Sequence, residues 1–224
     1  MRGVFVTGTD TGVGKSVLAA AICAALAARG ERVCAFKPVV TGLGEGPAGE
    51  WPPDHELLAT AAGGRQAPGE VTPYSFDSAT SPHYAAQLAG ETIEPARIMA
   101  AAHSAADAGQ ALVCEGVGGL LVPITADYSV RDLAVELGLP VIIAARTGLG
   151  TISHSLLTVE AARAAGLRVA GVVMSPWPTM PEPIELSNRA TVEALAGVPV
   201  SGLPATSPAE LAAAGARLPI DDWL

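Results

Sequence analysis

The sequence has 224 residues, of which 50% are hydrophobic and 4% are aromatic, and its formal net charge at pH 7 is −9. This acidic balance excludes the basic face that binding to nucleic acid or to a membrane surface requires, and the low aromatic content predicts that aromatic stacking does not drive ligand binding. No apolar stretch approaches the roughly 20 residues of a transmembrane helix, so we expect a cytoplasmic protein without nucleic-acid or membrane partners.

Short apolar runs alternate with longer periodic runs along the chain, which is typical of a mostly parallel sheet with helices on both faces. The predicted strands are Val4–Val6, Val33–Phe36, Ala111–Cys114, Val141–Ala145, Val169–Met174 and Val200–Gly202. The predicted helices are Lys15 to about Arg29, one that starts near Asp54, Pro95–Ala108, Val130–Leu137, Ile152–Ala165 and Ile184–Ala196. We therefore expect a single α/β domain over residues 1–224.

Four details of this pattern concern loops and caps. A loop rich in glycine and proline is predicted over about residues 41–53, and the Asp54 carboxylate is placed to cap the helix that follows. The run Leu120–Ile124 fits a short strand or an extended loop, because its periodicity does not distinguish the two. The proline-rich stretch Pro176–Pro183 is predicted to be a loop at one edge of the sheet.

The most specific motif is the glycine-rich run GTDTGVGKS at residues 8–16, which follows a strand and opens a helix. In a phosphate-binding loop, glycines let successive backbone N–H groups point at phosphate oxygens, and the helix N-terminus adds a partial positive charge. Lys15 can then reach the β- and γ-phosphates, and the Ser16 hydroxyl can ligate Mg²⁺. Five residues rather than four separate Gly8 from Gly14, so the spacing departs from the common form of this loop.

Lysine is scarce in this chain: of its 13 lysine and arginine residues, Lys15 and Lys37 are the only lysines. A lysine ammonium is a compact charge on a flexible stem, and it suits a position between phosphate oxygens. Lys37 follows the second predicted strand, at the same edge of the sheet as the phosphate loop. We therefore predict that both lysines are catalytic.

Two carboxylates are candidates for holding the metal together with Ser16. Glu115 follows a predicted strand and precedes the glycine run 116–119, which places it at the carboxyl end of a parallel strand, where open α/β sheets bind ligands. Asp54 is the second candidate, although its position also fits a simple helix cap. The predicted metal ligands are Ser16, Asp54 and Glu115.

These residues together resemble the dethiobiotin synthetase family. The resemblance rests on residues 8–16, on KPVVTG from Lys37, on Asp54, on the run Thr80–His83 and on the glycine run after Glu115, and it extends over essentially the whole chain. It implies a phosphate-loop ATPase fold, a homodimer, and an ATP- and Mg²⁺-dependent reaction. In that reaction 7,8-diaminopelargonic acid captures CO₂ as a carbamate, which is phosphorylated and then closes to a cyclic urea.

The resemblance also implies roles for individual residues. Those expected to contact the diamine are Thr11, Thr41, Gly118 and Gly150. Those expected to contact the nucleotide or its metal are Gly12, Val13, Gly14, Lys15, Ser16, Val17, Asp54, Glu115, Gly116, Val117, Gly118, Ser175, Pro176, Pro204, Ala205 and Thr206.

Three positions depart from the family pattern. Gly12 stands where members often carry an acidic residue, and Ser153 stands where they often have asparagine near the substrate. Ser175 replaces an asparagine that reads adenine, and a single hydroxyl cannot offer the paired donor and acceptor of an amide. We therefore predict weak discrimination among nucleoside triphosphates.

Three other functions fit parts of the sequence. A partitioning or metal-transport ATPase of the same fold class would carry an additional lysine near the start of the loop, where this chain has Asp10. A glutamine-dependent synthetase would need an ammonia-releasing domain, for which 224 residues leave no room. A non-catalytic nucleotide-binding module would not need Lys37, Asp54 and Glu115 beside the phosphate loop.

Overall fold

The computed structural model describes residues 1–46 and 51–224. Its strands are β1 (Gly3–Gly8), β2 (Val33–Phe36), β3 (Val40–Thr41), β4 (Ser75–Phe76), β5 (Ala111–Glu115), β6 (Val141–Ala145), β7 (Val169–Trp177) and β8 (Val200–Pro204). Its helices are α1 (Lys15–Ala28), α2 (Asp54–Ala61), α3 (Pro68–Val71), α4 (Pro82–Ala89), α5 (Pro95–Ala108), α6 (Val130–Leu137), α7 (Thr151–Ala164), α8 (Pro183–Ala196), α9 (Leu211–Gly215) and α10 (Ile220–Trp223).

The central element is a six-stranded sheet in the order β2-β5-β1-β6-β7-β8, with every neighbouring pair parallel. The strands are almost wholly apolar and buried because helices cover both of their faces. One apolar cluster joins the sheet to α1, α2, α9 and α10, and the other joins it to α5, α6, α7 and α8. The predicted α/β fold, with a parallel sheet between two helical layers, is confirmed.

The strand order determines where the functional residues meet. Parallel strands end at one edge of the sheet, and β1 lies between β5 and β6 at its centre. The loop after β1 therefore stands beside the end of β5, which is Glu115, and Lys37 follows β2 one strand farther out. The sheet thus brings Ser16 and Glu115, which are 99 positions apart in the chain, into hydrogen-bonding contact.

All six predicted strands of the main sheet are present, and their bounds differ from the predictions by at most a few residues. The predicted helices are also present. The run Leu120–Ile124 is a loop, closed by an isolated antiparallel bridge between Pro123 and Ser129. Residues 47–50 of the predicted loop 41–53 lie outside the described residues.

Two predictions about local structure are wrong. Asp54 does not cap α2: Pro53 occupies the cap position, Asp54 is the first helical residue, and its carboxylate pairs with Lys37 instead. The loop predicted over Pro176–Pro183 is wrong at its start, because β7 continues through Pro176 and Trp177, and Trp177 pairs with Pro204 of β8. Residues 178–182 form the remaining, predicted part of the loop.

The sequence pattern also missed a small second sheet and several short helices. β3 and β4 are two residues each and pair in parallel across 35 positions of sequence, and α3, α4, α9 and α10 have eight residues or fewer. The strands β3 and β4 and the helices α3, α9 and α10, which have two to five residues, are too short to show periodicity. Among residues 1–46 and 51–224, no helix combines the length and the apolar character that crossing a bilayer requires.

Candidate active site

The phosphate loop connects β1 to α1 by folding back on the end of the strand. Gly12 and Gly14 adopt left-handed backbone conformations, with φ of 69° and 85°, which side chains other than glycine rarely adopt. A Cβ atom on Gly8 would lie 2.7 Å from Cγ2 of Val13 and 3.0 Å from Cδ of Lys15. The glycines therefore allow a tight curl that brings the N-terminus of α1 to the edge of a cavity, as anion binding requires.

Lys15 is the first residue of α1, and its side chain turns back over the loop. Its Nζ donates a hydrogen bond of 2.8 Å to the backbone carbonyl of Asp10, and the residue is 7% exposed. Burial is the main cause of a lowered pKa of Lys15, and the negative charge of Glu115 opposes this effect. The ammonium thus lies at the opening of the phosphate loop. Its hydrogen bond to the Asp10 carbonyl is the contact that a phosphate oxygen would replace.

A second ammonium lies at the centre of a buried charge network. Lys37 Nζ donates to Oε1 of Glu115 at 2.6 Å and also to the carboxylate of Asp54. The same Glu115 oxygen accepts a hydrogen bond of 2.8 Å from the Ser16 hydroxyl. Lys37 is 4% exposed and Glu115 is fully buried, whereas the Asp54 side chain is 39% exposed. The network therefore draws one member each from the residue after β2, from α2, from the end of β5 and from the first turn of α1.

The pKa values of these groups follow from their burial and their neighbours. Burial would lower the pKa of Lys37, but the charges and hydrogen bonds of Glu115 and Asp54 outweigh it and raise the pKa to about 12. Burial raises the pKa of Glu115, although Lys37 opposes the shift. Burial also acts to raise the pKa of Asp54, but the charge and hydrogen bond of Lys37 outweigh burial, so the pKa of Asp54 lies below its ordinary value. The raised pKa of Lys37 favours its charged form, which suits neutralisation of negative charge.

Ser16, Asp54 and Glu115 fit the oxygen ligands that Mg²⁺ prefers. Oε2 of Glu115 is buried and accepts no hydrogen bond from the described residues, so it is free to face a cation. Magnesium sites in nucleotide-using enzymes commonly take one or two carboxylates, with substrate phosphates and waters completing the shell. Among residues 1–46 and 51–224, no group of three or more histidine, cysteine or acidic side chains is placed to hold a metal ion.

Most of the predicted site residues line two adjoining cavities. We call the first the phosphate cavity; it has a volume of about 360 Å³. It is lined by Thr11, Gly12, Gly14, Lys15, Ser16, Val17, Lys37, Thr41, Trp51, Pro52, Asp54, Leu57, Glu115, Val117 and Gly118. We call the second the nucleoside cavity; it has a volume of about 270 Å³. It is lined by Gly12, Val13, Gly14, Val17, Trp51, Ser175, Pro176, Pro204, Ala205 and Thr206.

Two predicted site residues line neither cavity. Gly116 is buried, and a Cβ atom there would lie 2.9 Å from Cγ1 of Val130 and 3.2 Å from Cε1 of Phe5, so close packing accounts for this glycine. Gly150 is exposed at the N-terminus of α7, with φ of 90°. Contacts of Gly116 with nucleotide and of Gly150 with substrate remain predictions.

Comparison with known proteins places the chain in a family. The model of a family described as an AAA domain matches residues 2–205. The ATP-dependent dethiobiotin synthetase BioD of Anaeromyxobacter dehalogenans (strain 2CP-C) is 46% identical over 175 residues, 78% of this chain and 77% of that protein. The chain belongs to the ATP-dependent dethiobiotin synthetase family. Members from Anoxybacillus flavithermus and Bacillus subtilis (strain 168) are 38% and 34% identical, over 90% and 91% of this chain.

A solved structure supports the fold of this dethiobiotin synthetase family member. A ParA family ATPase from Chlorobium tepidum TLS superposes with a TM-score of 0.56 and 14% identity, covering 96% of this chain and 90% of that chain. At this identity the likeness shows the shared fold alone. The partitioning-ATPase alternative therefore shares the architecture, whereas the relatives similar in sequence are dethiobiotin synthetases.

Sequence reasoning missed two residues at the site of this synthetase. Trp51 lines both cavities, and the overall scarcity of aromatic residues concealed it. Arg146, at the end of β6, donates to the backbone carbonyl of Thr11 at 3.3 Å and pairs with Asp10 at 3.6 Å. A tryptophan three positions before Asp54, and an arginine at the carboxyl end of a central strand, were the available signals.

Proposed function

We propose that residues 1–224 form one catalytic domain that closes the ureido ring of dethiobiotin. Its substrates are 7,8-diaminopelargonic acid, CO₂ and a nucleoside triphosphate, and Mg²⁺ is required. The observation that carries the proposal is the convergence of Lys15, Lys37, Ser16, Asp54 and Glu115 on one cavity at the phosphate loop. Charges and donors from several strands are thus concentrated where a terminal phosphoryl group would lie.

The triphosphate binds along the phosphate loop. Backbone N–H groups at the start of α1 bind the β- and γ-phosphates, and Lys15 exchanges its contact with the Asp10 carbonyl for phosphate oxygens. Ser16, Asp54 and Glu115 would hold Mg²⁺, which supplies charge neutralisation across the phosphates when bound. The nucleoside lies in the second cavity, against Ser175, Pro204 and their neighbours.

The diamine and CO₂ react beside Lys37. One amine attacks CO₂ and loses a proton, giving a carbamate. A carbamate oxygen then attacks the γ-phosphorus, nucleoside diphosphate leaves, and a carbamic–phosphoric anhydride forms. The second amine attacks the carbonyl carbon and releases a proton to solvent, inorganic phosphate leaves, and the cyclic urea closes. Lys37 remains protonated throughout because of its raised pKa, and it neutralises the carbamate and the moving phosphoryl group.

The remaining residues position the substrate. Thr11, Thr41 and Gly118 line the phosphate cavity next to Lys37, and they are assigned to the diamine. Gly150 would contact it from the loop before α7. This reaction requires the protein chiefly to orient the substrates and to stabilise charge, rather than to form a covalent bond with them. We further propose that the enzyme acts in the cytoplasm as a homodimer on small molecules, with no nucleic-acid or membrane partner.

A component-omission assay tests this function. Purified protein is incubated with the diamine, bicarbonate, Mg²⁺ and ATP, and phosphate release and the cyclic product are measured while one component at a time is left out. We expect phosphate and product in equal amounts, and loss of both when any component is missing. Phosphate release that continued unchanged without the diamine would contradict the proposal and would favour an ATPase of another kind.

A further inference from the structure

Trp51 is the side chain that joins the two cavities of the site. The phosphate and nucleoside cavities share four residues: Gly12, Gly14, Val17 and Trp51. The glycines offer only backbone, so Val17 and Trp51 are the shared residues with apolar side chains. Among the described residues that line these cavities, Trp51 is the one aromatic residue.

The position of Trp51 leaves part of its indole available to a ligand. The residue is half-buried, and it packs against the apolar cluster formed by α1, α2 and the sheet while also lining both cavities. A nucleotide with its phosphates at Lys15 and its base beside Ser175 must cross the region that the two cavities share. Its sugar or base therefore passes within contact distance of Trp51.

The nucleoside cavity offers few side-chain groups that distinguish one base from another. Pro176, Pro204 and Ala205 carry no polar side-chain atoms, so among the described lining residues the Ser175 and Thr206 hydroxyls and the indole N–H of Trp51 are the side-chain groups that could hydrogen-bond a base edge. The Ser175 hydroxyl also lies against the phosphate loop, 3.2 Å from where a Cβ of Gly14 would be. Stacking on an aromatic ring is, in contrast, available to every base, because every base has a π-face.

We propose that Trp51 is a nucleotide-binding residue that supplies affinity independent of base identity. This inference rests on the proposed function and deepens it, because it names what holds the nucleoside where hydrogen-bonding groups are few. The low aromatic content of the chain predicted that aromatic stacking does not drive ligand binding; this inference reverses that prediction for this site. Loss of a base–aromatic stack typically weakens binding by roughly 5- to 150-fold, so the effect is measurable.

The test is a titration of the purified full chain with ATP, CTP, GTP and UTP, each with Mg²⁺ and without diamine. Tryptophan fluorescence and calorimetry are recorded for the wild type and for Trp51→Phe and Trp51→Leu. Trp177→Phe is the matched control, because Trp177 packs on Gly202 and beside Arg189 and lines neither cavity. Thermal unfolding is measured for each variant, since Trp51 also packs on the core.

We expect all four nucleotides to quench the fluorescence of the wild type and of Trp177→Phe, and Trp51→Phe to abolish the quenching. Trp51→Leu should raise Kd about tenfold or more, by a similar factor for every base, while Trp51→Phe, which keeps a π-face, loses less. The KM for the diamine should not change. If Trp51→Leu does not fold, the quenching lost in Trp51→Phe decides the matter.

Quenching that persisted in Trp51→Phe would overturn the inference, and so would unchanged Kd values in folded Trp51→Leu. Loss of affinity for a single base alone would also contradict it, because stacking acts on all four. Failure of the proposed function gives a different result: the wild type itself would neither bind nucleotide by calorimetry nor release phosphate with the diamine.

Discussion

The two cavities of the site are built from different materials. The phosphate cavity contains two ammonium groups and two carboxylates, and Lys37, Ser16 and Asp54 are tied to one another or to Glu115 by hydrogen bonds. The nucleoside cavity is lined by prolines, alanine, valine, glycines, two hydroxyls and one indole. One region is charged and tightly connected, and the other is mostly apolar with few polar side chains.

This difference predicts that the two cavities contribute differently to catalysis and to nucleotide binding. Buried charges act strongly on charge that develops during reaction, because the surrounding dielectric is low. A mostly apolar cavity offers few groups that could read the edge of a base, so we expect it to discriminate weakly among bases. Substitutions in the phosphate cavity should therefore change turnover by orders of magnitude, and those in the nucleoside cavity should change mainly affinity or base preference.

The largest effect is expected from Lys37→Gln. The variant should lower turnover by about 10²- to 10³-fold or more, because the proposed role of Lys37 is to neutralise charge on the moving phosphoryl group. Its nucleotide Kd should change by no more than about threefold, since the phosphates are assigned to Lys15 and the loop. Phosphate release and calorimetric titration measure the two quantities. Arg163→Gln removes an exposed charge away from both cavities and serves as the control. Normal turnover by Lys37→Gln would show that the role assigned to Lys37 is wrong.

Lys15→Gln should affect binding and turnover together. In the proposed mechanism Lys15 contacts the β- and γ-phosphates before and during transfer, so we expect a nucleotide Kd raised about tenfold or more and turnover lowered about 10²-fold. The same two assays apply. If Lys15→Gln bound nucleotide as tightly as the wild type, the proposal that Lys15 acts in both binding and turnover, whereas Lys37 acts in turnover alone, would be wrong.

Nucleotide preference tests whether the nucleoside cavity accepts different bases. Turnover with ATP, CTP, GTP and UTP at equal concentration should differ by less than about 100-fold, equivalent to about 2.7 kcal/mol. Ser175→Asn should raise the preference for ATP, because an amide offers the paired donor and acceptor that a hydroxyl lacks. An ATP preference above about 100-fold in the wild type would refute the argument.

The smallest effect is expected from Arg146→Ala. Arg146 steadies the Asp10–Thr11 segment of the loop, but its side chain is 62% exposed and its ion pair with Asp10 measures 3.6 Å. Exposed ion pairs contribute little, about 0–1 kcal/mol. We expect the KM for the diamine to rise by no more than about fivefold with kcat nearly unchanged; a loss of kcat above 100-fold would place Arg146 in the catalytic machinery.

The sequence predicts the parts of this molecule that local patterns encode. Apolar runs identified all six strands of the main sheet, and the glycine spacing and the lysine scarcity pointed to Lys15 and Lys37. The pairing of Lys37 with Asp54 could not be predicted, because it depends on how α2 lies across the end of β2. The pairing of β3 with β4 joins two-residue segments far apart in sequence, which carry no periodicity.

Trp51 shows another limit of prediction from sequence. Composition averages over the chain, whereas a binding site needs only one aromatic side chain at the right place. The segment around Trp51 is rich in proline and glycine, so its sequence indicates a loop without indicating what the loop faces. Only the folded chain brings Trp51 between the phosphate loop and the residues of β7 and β8.

The most direct test of the central claim is a crystal structure with a non-hydrolysable triphosphate, Mg²⁺ and the diamine bound. We expect the Nζ atoms of Lys15 and Lys37 to flank the path from the γ-phosphorus to the reacting amine, each in direct contact or bridged by one water. Either ammonium turned away from the γ-phosphate by more than one bridging water would contradict the claim.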